Sequence, residues 1–152
     1  MGFGKLAQTA LAAGAVLARN FDGGRTKLSS VEIAGACGHP QPVVAKVLVA
    51  LSARGLVDGT RGPGGGYWLA VPPVQVALLE IVVPFERTRK MLCPLATVGE
   101  AAGEGCLVAQ KVEQLCGQWR DYLRSTTLAV FQADQRGGDR SVGLKVETRD
   151  KA

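Results

Sequence analysis

The chain has 152 residues, 47% hydrophobic and 20% charged, with 18 lysines and arginines against 13 acidic side chains and a formal net charge of +5. That apolar share supplies an ordinary buried core and excludes global disorder. The positive balance suits a polyanionic partner without demanding one. No apolar run approaches the roughly 18 to 20 residues of a bilayer span, which argues against a membrane helix.

At the amino terminus, Leu6, Ala10, Ala13 and Leu17 recur at helical spacing and predict an amphipathic helix. The stretch resembles a signal peptide in having a lysine before small apolar residues, but leucine is sparse. It is read as a structural helix of a cytoplasmic protein. After the loop NFDGGRTKL, Ser29 and Glu32 form a capping-box pattern that starts a short helix, and Gly38 ends it. Pro40 and Pro42 fit only a turn or a first helical turn. The helix they open, from about Gln41 to Ala53, keeps Val43, Val47, Ala50 and Leu51 on its buried side and stops at Gly55.

GLVDGT and GYWLAV then read as two short strands around a tip rich in glycine and proline. PPVQVALLEIVVPF predicts a further helix with Val76, Leu79 and Val83 on one side, ended or kinked at Pro84. A loop-like stretch from Glu86 to Gly105 follows. From Cys106 onward, Val108, Val112, Leu115, Trp119 and Tyr122 repeat at four, three, four, three, a seam of coiled-coil type on a helix of about 20 residues. The last residues, 134–152, are polar with nearly balanced charge and are expected to form a flexible tail.

The tip RGPGGGYW lacks the Lys-Ser or Lys-Thr that a phosphate-binding loop requires after its glycines, so nucleotide binding is disfavoured against a hairpin tip. The order helix, helix, turn, helix, strand, glycine-rich tip, strand is that of a winged helix-turn-helix, mainly α with a small β-hairpin wing. In that layout the helix from Gln41 to Ala53 enters the DNA major groove. His39, Gln41 and Lys46 would face bases or phosphates, and Arg61 at the wing tip would enter the minor groove. Lys27, Arg54, Gly64 and Gly65 complete the expected DNA-binding set. Between Arg19 and Ala70, six basic side chains stand against three acidic ones, a net of +3.

The segment from VEIAGACG through RGPGGGYWLA to LLEIV resembles the Rrf family of winged-helix transcriptional regulators, of the IscR, NsrR, RirA and CymR type. The likeness runs from about Leu6 to Phe131. It implies a homodimer in which the seam from Val108 to Tyr122 crosses its twin, two heads reading a palindromic operator in double-stranded DNA. It implies a division into residues 1–85 as DNA-binding domain, 86–105 as cysteine-containing sensor loop and 106–133 as dimerisation helix. Many relatives hold an iron-sulfur cluster on three cysteines before that helix. Cys93 matches the first and Cys106 the last; PLATVGEAAGEG has no middle cysteine, and Ala109 stands where some members carry histidine. The resemblance therefore implies, if a [2Fe-2S] cluster is held, non-standard ligation completed by Cys37 or Cys116. The regulator so implied responds through these cysteines to redox, iron or nitrosative state; a cluster-free thiol switch stays open beside it, as does a winged-helix module for protein contact. An enzyme using a cysteine nucleophile with His39 as base is disfavoured, because no acid is placed to orient the histidine.

Overall fold

The computed structural model of the chain describes residues 3–86 and 107–133. Helix α1, Lys5–Arg19, is rich in alanine. Small side chains let it be enclosed, and every residue from Ala13 to Ala18 is buried, so the single apolar face expected from the sequence is in fact a nearly complete jacket. Gly14 lies where an added Cβ would stand 3.4 Å from the Leu128 side chain, close to ordinary van der Waals contact. Helices α2, Ser30–Cys37, and α3, Gln41–Ala53, pack against α1 and against each other.

The start of α2 follows from the capping box. The Glu32 amide donates to Ser29 Oγ at 3.1 Å, and the Ser29 amide donates to Glu32 Oε2 at 2.7 Å. The bond from the Ser29 amide, then that with its side chain, holds the Glu32 carboxyl below the usual glutamate range. Gly38, in the left-handed conformation at φ 70°, stops the helix, and its amide returns to the Ala34 carbonyl. In α3 the buried side is Val44, Val47, Leu48 and Leu51, rotated from the expected Val43, Val47, Ala50 and Leu51. The rotation follows from enclosure by both α1 and α2, which together select the stripe facing the angle between them.

Strands β1, Val57–Thr60, and β2, Gly66–Leu69, are antiparallel, with Val57 opposite Leu69 and Thr60 opposite Gly66. Leu28 pairs with Tyr67 on the other edge of β2 through two backbone bonds of 3.0 and 2.7 Å, so the wing is anchored from both sides. Gly66 permits this: a Cβ there would press on the Leu28 backbone at 2.8 Å.

The helix expected over PPVQVALLEIVVPF is broken. Pro73–Gln75 form a 3-10 turn, Val76 and Ala77 are extended, and only Leu78–Val82 (α4) is α-helical before a 3-10 turn at Val83–Phe85. Pro73, Val76, Leu78, Ile81 and Val82 are the buried residues, while Leu79 and Val83 are half-buried. The cause lies elsewhere in the chain. The Leu78 amide donates to the Thr126 carbonyl at 2.8 Å and the Leu128 amide to the Val76 carbonyl at 2.9 Å, which draws residues 76–77 into a backbone bridge with Thr127. Helix α5, Leu107–Ser125, precedes that clamp, and the short helix α6, Val130–Ala133, follows it. The core gathers Leu48, Leu51, Ile33, Ile81, Leu123 and Leu128 around α1. Among the described residues no helix is long and apolar enough to cross a membrane.

Candidate nucleic-acid interface

The turn between α2 and α3 is braced by two polar contacts. Thr9, 1% exposed on α1, donates its hydroxyl to the Lys5 carbonyl at 2.8 Å. Its oxygen lies 3.0 Å from His39 Nδ1, which leaves it to accept from an Nδ1–H. Gln41 Nε2 donates to Ser30 Oγ at 2.9 Å, joining the first turns of α2 and α3. Two side chains expected to face DNA are thus engaged within the head, and their partners Thr9 and Ser30, thirty and eleven positions away, carry no local sequence signal.

The outward side of α3 presents Pro42, Lys46 and Val49, all exposed, with Arg54 exposed at its end. α3 contains no acidic residue. At the wing tip the Gly65 amide donates to the Gly62 carbonyl at 2.9 Å. Pro63 and Gly64, with φ 75° at Gly64, occupy the central positions of this turn, the pattern of a type II turn. Arg61 precedes it and is exposed. Among the described residues no carboxylate pairs with Lys46, Arg54 or Arg61, the recorded ion pair there being Arg124 with Asp121 at 3.4 Å.

Beside the wing, the loop from Asn20 to Leu28 is tied by Asp22, whose carboxylate accepts from the Arg25 amide at 2.9 Å and from the Thr26 amide and hydroxyl at 2.8 and 2.6 Å. The Thr26 hydroxyl, then the backbone amides, hold the Asp22 carboxyl below its ordinary value. The loop brings Lys27 Nζ to 5.1 Å from the ring centre of Trp68, a cation–π seat. Trp68, read from sequence only as a strand residue, therefore positions one of the expected DNA contacts.

On α5 the seam is divided. Tyr122 is 54% and Leu115 44% exposed, Val108 is exposed as well, and Val112 is half-buried. Trp119 is half-buried, its ring 5.8 Å from Phe3 of α1's leading segment and stacked at 5.8 Å on Tyr122. Cys116 and Leu123 turn into the molecule. Cys37 is half-buried against the core with its Sγ 3.8 Å from the Ala34 carbonyl. Among the described residues no three histidines, cysteines or carboxylates gather as a metal-binding group. Cys37 and Cys116 are thus not assembled into a cluster site there, and Cys93 and Cys106 lie outside the described residues.

Comparison with known proteins fits this geometry. The family model described as Rrf2, iron-dependent transcriptional regulator, matches residues 5–134. A helix-turn-helix-type transcriptional regulator of Aquifex aeolicus is 36% identical over 130 residues, covering 83% of this chain and 88% of the relative. In fold, the chain is similar to T. potens IscR, with a TM-score of 0.70 and 24% identity over 89% of this chain and 88% of that one. It is similar likewise to the oxidized form of Staphylococcus aureus CymR, with a TM-score of 0.70 and 23% identity over 87% of this chain and 96% of that one. A helix-turn-helix whose cationic outer surface continues onto a glycine-tipped wing, matched over most of its length by this family, makes the chain a member of the Rrf2 transcriptional regulators, a DNA-binding protein and not an enzyme.

Proposed function

We propose that two copies of the chain pair through the exposed apolar stripe of α5 and bind a palindromic operator with both heads. The observation that carries this reading is the set of exposed cations Lys46, Arg54 and Arg61, on α3 and the wing, without a carboxylate partner among the described residues. Lys46 and Arg54 meet phosphates along the major groove, and Arg61 enters the neighbouring minor groove, where the potential is most negative. Lys27 on its indole seat adds a backbone contact at the side of the wing. Gly64 and Gly65 keep the tip thin enough to approach the sugar-phosphate wall. His39 and Gln41 serve the same surface by setting the angle of α3.

The test is duplex binding by the full chain over a series of salt concentrations. Phosphate contacts impose a steep decline of affinity with salt. Arg61→Ala is expected to weaken binding by roughly tenfold and to flatten the salt slope by about one ion. Unchanged affinity and slope would remove the wing from the interface, and salt-insensitive binding by the parent chain would favour a protein-contact module.

The signal is proposed to enter through Cys93 and Cys106. Two thiolates are half the donors of a four-ligand iron-sulfur cluster, so a cluster at this pair needs two more donors. Cys37 and Cys116 are the candidates to complete a cluster, and without them the pair acts as a thiol switch. An iron count and absorption spectrum after anaerobic purification distinguish the two: bound iron establishes the cluster, and iron-free protein leaves the thiols as the input.

A further inference from the structure

We infer that the outward face of α3 reads its operator through the 5-methyl groups of thymine, an inference resting on the DNA-binding role proposed above. At 100° per residue, Pro42, Ala45, Lys46, Val49 and Ala53 fall on one stripe about 100° wide, directly opposite the buried stripe. Four of the five are apolar. Val49 at its centre is 62% exposed. Direct hydrogen-bond readout in the major groove uses arginine, lysine, asparagine, glutamine, serine, threonine or an acid aimed at base edges, and of these the stripe holds Lys46 alone. The glutamine at the start of the helix, Gln41, lies off the stripe, with its Nε2 bonded to Ser30 Oγ. His39 Nδ1 is held by Thr9.

The surroundings choose the occupant. A bare apolar stripe would suit many partners, but this one is bordered by Lys46, Arg54 and the wing's Arg61, with no acid on the helix. An apolar centre within a cationic frame complements the major groove, whose walls are phosphates and whose floor carries one apolar feature, the thymine methyl. Covering a methyl-sized group from water corresponds to about fourfold in affinity. Recognition of this kind distinguishes thymine from cytosine and from uracil without a hydrogen bond to either.

The experiment selects a duplex from a randomised pool with the full chain, then replaces each thymine of that duplex in turn with deoxyuridine, which differs only in the missing methyl. At least one replacement per half-site is expected to weaken binding by about fourfold. Val49→Ser is expected to bind thymine and deoxyuridine duplexes equally, near the parent's affinity for the deoxyuridine duplex. Val49→Thr, which keeps a methyl, retains part of the preference. Thermal melting of both variants separates misfolding from lost readout, because Val49 is exposed and its replacement leaves the core intact. Equal affinity of the parent for thymine and deoxyuridine duplexes, with a steep salt slope, overturns methyl readout and leaves DNA binding standing. Failure to enrich any duplex, together with salt-insensitive binding, overturns both, and assigns the stripe to a protein partner.

Discussion

Thr9 and His39 illustrate how a buried hydroxyl can brace a surface, here the one proposed to meet DNA, that it never touches. The bond of 3.0 Å between them fixes the turn preceding α3, and the same hydroxyl donates to the Lys5 carbonyl. Thr9→Val keeps the shape and removes both bonds, leaving His39 Nδ1 against a methyl group. Loss of one buried partner costs about 1–2 kcal/mol, expected as a lower midpoint in urea unfolding. Operator affinity should fall with it while the salt slope stays the same, since no cation is removed. A flatter slope would mean that His39 itself meets phosphate. From sequence alone His39 reads as a DNA contact because a histidine in a proline-flanked turn looks exposed; the residue that captures it belongs to another helix. Lys27 is the opposite case. Its charge was legible, and the ring of Trp68 that seats it was not, because cation–π geometry depends on how the loop from Asn20 to Leu28 folds over β2.

At the scale of elements, locally encoded starts and stops were legible and non-local ones were not. Ser29, Glu32 and Gly38 bound α2 because each acts within four residues, and α3 runs over the expected Gln41–Ala53 for the same reason. The interruption at Val76 and Ala77 has no local cause, since two backbone bonds from residues 126–128 impose it. α1 is capped at a distance as well. Its first turn begins at Gly4, which offers no side-chain cap, and the Gly4 amide donates instead to Glu86 Oε1 at 2.7 Å across 82 positions. The carboxylate is 6% exposed, and its second oxygen has no protein partner among the described residues. A negative charge at a helix amino terminus is favourable, so the bond ties the root of the 86–105 stretch to the central helix. Glu86→Ala is expected to destabilise the chain by about 1–2 kcal/mol, the usual cost of losing an N-cap, measurable by denaturant unfolding. Stability unchanged within error would mean that the tie contributes nothing.

For the whole molecule, the described residues leave the apolar stripe on α5 uncovered. Seam periodicity was visible in the sequence, but not how it is divided, with Trp119 turned toward Phe3 and Leu115 and Tyr122 left outward. Charge at that stripe should prevent pairing. Leu115→Glu is expected to give a folded monomer by sedimentation, with operator affinity reduced at least a hundredfold because one head must bind without its twin. A dimer that survives the substitution would place the interface elsewhere. The clamp between residues 76–78 and 126–128 gives this arrangement a further property. Since backbone bonds weld the end of the rod to the head, a pair formed as proposed has no swivel at that joint, and the crossing of its rods would set the interval between the wings. Such an assembly is expected to act as a caliper, accepting half-sites at one separation and rejecting those displaced by a single base pair along the helical pitch.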